Sequence, residues 1–248
     1  MTAFSFQLYS ARNFPPWSDV LAMLSRLGYA SVEGFGGVYD DPEGLRRQLD
    51  ANGLTMPTGH FGLEQLRDRK GTLAIAKALG IETIICPYIA EEHWRQPDAD
   101  WVALAKEVGE QAKAYKGEGF GFAWHNHHFE FWPLDSGRVP MEIMLAEAPE
   151  ADWEIDVAWV IRGGADPERW IGDYGKRIVA VHLKDIAPED ESEDEDGWAD
   201  LGHGTVPWKK LFVEIRDKTP AKHFIMEHDN PNDLERFAAR SLATANSL

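Results

Sequence analysis

The sequence predicts a single (β/α)8 barrel, and three observations predict it. Short β-rich segments alternate with helical stretches along the whole chain, as a parallel sheet requires. There are eight such units in 248 residues, and one domain of this barrel class typically runs to ~250 residues. No G-x-G-x-x-G follows the first strand, which argues against the competing open, doubly wound sheet.

The first unit joins the alternating segment Phe4–Tyr9 to a helical stretch, Ser18–Leu27, with Gly28 placed for a left-handed helix end. The second runs from a strand at Ala30–Phe35 to a helix at Pro42–Ala51, where Asp41-Pro42 reads as an N-cap followed by a first-turn proline. Strand three, Thr55–Phe61, leads to Leu63–Leu79, and strand four, Thr83–Tyr88, leads to Ala99–Lys116. Gly53 and Gly80 repeat the glycine stop. Strands five and six are expected at Gly121–His127 and Trp153–Trp159, with helices at Pro140–Ala148 and Asp166–Tyr174. Strands seven and eight, Ile178–Lys184 and His223–Glu227, are followed by Pro207–Arg216 and Leu234–Ala245. Residues 1–248 therefore form one domain, with no linker and no low-complexity tract. The tract from Pro188 to Asp196 is strongly acidic and is expected as a solvated loop after strand seven.

Composition narrows the function. Net charge is −17, whereas a nucleic-acid binder carries a basic footprint; anionic membranes are disfavoured for the same reason. No apolar run approaches the ~20 residues of a membrane span. The chain enters its first strand without a basic segment and apolar stretch of signal-peptide type, and Cys86 is its single cysteine. A cytoplasmic protein without an internal disulfide is expected. The composition is compatible with a homo-oligomer.

Catalytic residues of such barrels gather at the C-terminal strand ends, and the last four strands each end in a metal-capable residue. Alternation puts His125 and His127 on one face of strand five. It turns Asp156 inward on strand six, with Glu154 one layer deeper, and His182 and Lys184 inward on strand seven. Glu227 shares the face of Ile225 on strand eight. Carboxylates inside a barrel are costly unless a cation meets them, so a divalent metal that offsets this cost for Asp156 and Glu227 together is expected. Mixed imidazole and carboxylate donors suit manganese, zinc, cobalt or iron better than calcium. Glu33 and His60 end strands two and three on the same side, and Trp159, Trp17 and Trp198 are candidates for covering a sugar face.

The chain resembles the xylose-isomerase-like TIM-barrel superfamily of sugar isomerases and epimerases, inosose dehydratases and endonuclease IV. The resemblance rests on Gly28 to Glu33, His60, His125-Asn126-His127, Glu154 to Val157, Val181 to Asp185, Leu201 to Gly204 and Met226-Glu227. It implies one metal bound by residues of strands five to eight. Asp156, His182 and Glu227 match the family pattern; strand five departs from it, since the epimerases place a glutamate where this chain has His125. His125 is preferred as the fourth ligand, with Glu130 the alternative. The implied activity is metal-dependent isomerisation or epimerisation of a sugar, in which Glu227 removes a proton beside a carbonyl. The second acid/base is then His127, Glu130 or Lys184, the lysine with a pKa lowered by burial. The His-Asn-His and His-Leu-Lys-Asp strands resemble the inosose-dehydratase and ketoglycoside-lyase side of the superfamily, where the same first step leads to elimination. An endonuclease IV-like phosphodiesterase is disfavoured by charge, and a sugar-binding relic would keep the pocket without the metal. Strand ends offer few cations beyond Arg12, Arg162 and Lys184, so a neutral sugar, keto-sugar or cyclitol is expected, with Glu33, His60, Trp159 and Glu130 as its contacts.

Overall fold

A computed structural model describes residues 3–248. Among these residues eight parallel strands close into a barrel: Phe4–Gln7, Ser31–Gly34, Thr55–His60, Thr83–Cys86, Gly121–His125, Asp152–Asp156, Ile178–Leu183 and His223–Met226. Each strand pairs with its sequence neighbours, and the eighth pairs with the first, Phe4 lying opposite Phe224. Helices wrap the outside. Gly28 and Gly80 end theirs in the left-handed region, at φ 102° and 74°, and Asp41 caps its helix by accepting from the Gly44 amide. No helix among the described residues is long and apolar enough to cross a membrane.

The two faces of the barrel wall differ in chemistry. Outward side chains such as Phe6, Phe122, Trp124 and Trp153 are buried in the apolar layer beneath the helices. Inward side chains are small or aliphatic low in the barrel (Ser5, Ile85, Ala123, Ala180, Ile225) and polar above it. Register carries the polar tier around the wall: Gln7 lies beside Glu33, His125 beside Glu154, and Asp156 beside His182.

Several strands stop earlier than their β-rich sequence suggests, because the chain turns as soon as it clears the barrel. The first strand gives way to a 3-10 turn at Leu8–Ala11. The sixth ends at Asp156, whose carboxylate accepts from the Trp159 amide and starts a short helix, Val157–Arg162; Trp159 is therefore helical. The expected helix Leu63–Leu79 is two, Leu63–Arg67 and Arg69–Leu79, separated at Asp68, which caps the second through the Gly71 amide.

The acidic tract departs furthest from expectation. It is bracketed by a small antiparallel pair, Asp185–Ile186 with Trp198–Ala199. Within it Glu195 is buried, ion-paired to Arg236 at 2.6 Å. Asp185 organises the return: its carboxylate accepts from the amides of Ile186, Gly202 and Val206 at 2.9, 2.8 and 3.0 Å. A Cβ at position 204 would collide with the Asp185 carboxylate and the Ile186 carbonyl, so Gly204 is required. Asp185→Ala is expected to cost about 3 kcal/mol, since three charge-assisted bonds are lost, and to lower the thermal midpoint by roughly 6–12 °C for a domain of this size. Gly204→Ala shifts it in the same direction. An unchanged midpoint in differential scanning calorimetry would show that the loop does not depend on this brace.

Candidate metal centre

The fifth strand delivers His125 to the top of the barrel interior, and the next residue fixes its neighbour. Asn126 is fully buried. Its Oδ1 accepts from Trp153 Nε1 at 2.9 Å and from the Asp156 amide at 3.0 Å, while its Nδ2 donates to the Asp156 carbonyl at 3.1 Å. The backbone of Asp156 is thus clamped before its side chain is considered. Asp156 Oδ1 caps the Trp159 amide at 2.9 Å, and Oδ2 is buried without a hydrogen-bond partner among the described residues. Burial, together with the nearby Glu227, pushes the Asp156 carboxyl up to about 7 even though Lys184 and His182 oppose the shift.

His182 stands at the centre. Its Nδ1 lies 2.9 Å from Glu227 Oε2 and 3.9 Å from Asp156 Oδ2; its Nε2 lies 2.8 Å from Glu33 Oε1 and 3.3 Å from Glu154 Oε2. Among the described residues two groups offer donor atoms that all lie within 4.8 Å of one another: His125, Asp156, His182 and Glu227, and beneath them His60, His125, Glu154 and His182. The upper group is the set expected from sequence. Its two nitrogens and two carboxylates suit a borderline divalent ion, and the partnerless Asp156 oxygen is a donor that a cation would satisfy.

Lys184 is fully buried. Its Nζ sits 2.7 Å from Asp229 Oδ2, 3.3 Å from Glu227 Oε2 and 3.8 Å from Asp156 Oδ2, over the rings of Trp159 and Trp198 at 4.6 and 4.1 Å. Burial alone would depress its pKa, but Asp229, Glu227 and Asp156 outweigh it and the pKa is raised. The direction is the reverse of the lowered pKa expected, and Lys184 supplies positive charge to the cluster. Glu227 responds in kind. Despite burial, Lys184 and His182 hold its carboxyl well below the usual range.

The cluster floors a cavity of about 720 Å³ at the C-terminal mouth. His60, His125, His127, Trp159 and Glu227 line it, with Asp229 and Arg12 on its wall and Tyr9, Phe35 and Tyr88 toward its rim. His127 is held neutral, its pKa driven well down by burial and by His125 and Lys184; Tyr88 meets it edge-on at 5.2 Å.

Other expected contacts are placed differently. Glu33 lies beneath the cluster, its Oε1 receiving Gln7 Nε2 at 2.7 Å and facing His60 and His182. Glu130 does not reach the ligands or the cavity lining. Its oxygens accept from Trp124 Nε1 at 3.3 Å and the His127 amide at 2.9 Å, closing the turn after strand five. This corrects the reading of Glu130 as a substrate contact or fourth ligand. Trp198 is buried behind Lys184, and Trp17 packs on Phe35; neither lines the cavity. Sequence reading gave no role to Asn126, Glu154, Asp229, Tyr9 or Tyr88. Glu154 carried a signal, the inward alternation it shares with Asp156; the others lie just beyond strand ends, where alternation no longer speaks.

A family model described as xylose isomerase-like TIM barrel matches residues 21–246. The chain belongs to the xylose isomerase-like TIM barrel family. An inosose dehydratase of Geobacillus kaustophilus (strain HTA426) is 22% identical over 190 residues, covering 68% of this chain and 61% of the dehydratase, less than two thirds of its length. Solved structures share the fold. A sugar phosphate isomerase/epimerase from Parabacteroides distasonis ATCC 8503 superimposes with a TM-score of 0.79 at 18% identity, covering 98% of this chain and 92% of that one. The probable 3-DHS dehydratase AsbF from Bacillus anthracis gives 0.78 at 13% identity, covering 99% of each chain. The IOLI protein, solved with a zinc atom, gives 0.79 at 12% identity, covering 99% of this chain and 97% of that one.

In this member of the family, Asp156→Ala and His182→Ala are each expected to reduce metal content from about one ion per chain to near zero, because the remaining donors cannot close the coordination sphere. Glu130→Gln keeps the ion. Elemental analysis after dialysis against limiting manganese or zinc decides it, and retention by Asp156→Ala would remove the upper group as the binding set.

Proposed function

We propose that the protein is a metal-dependent sugar isomerase or epimerase acting on a neutral sugar, keto-sugar or cyclitol. The observation that carries the reading is that two members of the upper donor group, His125 and Glu227, line one cavity together with His127, while Asp156 and His182 complete the group just beneath its floor. A divalent ion held by His125, Asp156, His182 and Glu227 would supply Lewis acidity toward a substrate carbonyl. Glu227, kept ionised by the Lys184 ammonium, takes the proton from the adjacent carbon. Neutral His127, three strands away around the mouth, exchanges the proton on the other side. Trp159 offers the sugar an apolar face. The net charge of −17 and the single arginine on the cavity wall favour an uncharged small molecule over a phosphorylated one or a nucleic acid.

Elimination is the second reading, and Asp229 favours it. This carboxyl lines the cavity, its pKa is raised by burial, and it pairs with Lys184, which suits a proton donor to a departing hydroxyl. The likeness to an inosose dehydratase supports the same reading.

Incubation of the manganese-loaded protein with unphosphorylated keto-sugars and keto-cyclitols in heavy water tests both. Isomerisation gives a product of the same composition carrying solvent deuterium; elimination gives one that has lost water. Glu227→Gln should slow deuterium uptake by about 10²–10⁴-fold. If no substrate of this class exchanges a carbon-bound proton, the proposal fails. If a phosphorylated substrate binds tightly and loses affinity on dephosphorylation, the choice of a neutral substrate fails.

A further inference from the structure

Below the proposed ligands lies a second tier of charge that the reaction does not use. Glu33 and Glu154 are fully buried, and neither lines the cavity. Each nevertheless points at a ligand ring. Glu154 Oε2 is 3.0 Å from His125 Nδ1, and Glu33 Oε1 is 2.8 Å from His182 Nε2. His60 joins the pair, its Nε2 2.7 Å from Glu154 Oε2 and 3.0 Å from Glu33 Oε1. Gln7 Nε2 holds Glu33 from the far side at 2.7 Å.

We propose that Glu33 and Glu154 are positioning residues that dictate which nitrogen of each histidine ligand faces the ion. An ionised carboxylate only accepts hydrogen bonds, so the ring nitrogen facing it must carry the proton. A neutral imidazole then presents its lone pair at the other nitrogen. The contact with Glu154 makes His125 an Nδ1–H ring that ligates through Nε2. His182 meets carboxylates at both nitrogens, Glu33 at Nε2 and Glu227 at Nδ1. A bound ion takes the place of the Nδ1 proton, so the contact with Glu33 keeps His182 an Nε2–H ring that ligates through Nδ1, the nitrogen turned toward Glu227 and Asp156. The two rings are thus held in opposite tautomers. His60, bridging the two carboxylates, keeps them at a common height, so the tier acts as one unit.

This assignment explains why the barrel interior holds two carboxylates with no route to substrate. Carboxylates behind histidine ligands fix the ring and raise its basicity, and removing one typically costs about 10–100-fold in metal affinity. It also gives the lower donor group a different purpose from the upper one. His125 and His182 belong to both groups, and a ring nitrogen that donates to a carboxylate cannot bind an ion at the same time.

The inference rests on the metal centre proposed above, and the experiment separates the two. Zinc and cobalt affinities of the full chain are measured by chelator competition for the unaltered protein and for Glu33→Gln, Glu154→Gln and Asp156→Asn. Long-range ¹⁵N–¹H spectra of the zinc-loaded unaltered protein report each histidine tautomer directly, whether or not any variant folds. Expected are one ion per chain, loss of binding in Asp156→Asn, and binding weakened about 10–100-fold, with one ion retained, in Glu33→Gln and Glu154→Gln. The spectra should show His125 as the Nδ1–H form and His182 as the Nε2–H form. Undiminished affinity in both glutamine variants, or either histidine in the other tautomer, overturns this inference and leaves the metal centre standing. Abolished binding in Glu154→Gln with binding preserved in Asp156→Asn puts the ion in the lower group and overturns it as well. No binding by the unaltered chain removes the metal centre and this inference together.

Discussion

The structure is organised around negative charge enclosed in the barrel. Glu33, Glu154 and Asp156 are inaccessible to solvent, and Glu227 is nearly so. Burying one ionised carboxylate without a partner is costly, and these four converge within hydrogen-bond range of a single histidine or close to it. Lys184 and the shared imidazoles of His60 and His182 offset part of that cost. His60 shows the size of the field: burial should lower its pKa, yet Glu33 and Glu154 lift it to about 10. The protein groups leave a remainder, visible at Asp156, whose carboxyl is raised to about 7 and whose Oδ2 has no partner among the described residues. That remainder lies within the upper donor group, where the proposed divalent ion would meet it.

The scaffold holds this charge by separating the two faces of the barrel wall. Outward residues such as Trp124 and Trp153 form an apolar layer with the helices, and that layer fixes strand position. Strand pairing then sets the heights of the inward groups: Glu154 stands beside His125, and Asp156 beside His182. Asn126 locks the join by bonding Trp153 from one side and the Asp156 backbone from the other. One amide side chain so couples the outer packing to the ligand tier. A small error in strand register would move every donor by a full residue, so such a polar interior demands a rigid apolar exterior.

Alternation explains what could be read from the sequence and where reading stopped. Eight strands, their order and the inward faces of Asp156, His182 and Glu227 follow from a period of two, since every strand is buried on both sides and only one side tolerates charge. The same rule made Glu154 visible as a deeper residue but could not say what it touches, because its partners come from strands three, five and seven. The rule fails beyond the strand ends. Trp159 lies in a helix because Asp156 caps it, and Glu130 folds back on the His127 amide because the chain turns immediately after strand five. Lys184 departs from expectation for another reason. Its burial was legible, but Asp229 comes from a different strand end, and the sign of the pKa shift depends on that contact.

The acidic excursion after strand seven gains a purpose from the same electrostatics. A buried ammonium ion needs walls as well as counter-ions, and Lys184 has two: Trp159 from the helix after strand six, and Trp198 from the far end of the excursion. Arg162 lies over the same Trp198 indole at 3.2 Å and donates to the Asp196 carbonyl at 2.8 Å. Arg236 grips Glu195 and Asp200 at either side of that segment. The chain therefore leaves the barrel through an exposed acidic stretch and returns with an indole that closes the space behind Lys184. Lys184 helps to keep Glu227 ionised, and that indole packs against the Lys184 ammonium. The loop is thereby connected to Glu227 through contacts alone, although none of its acidic residues is a donor to the cluster.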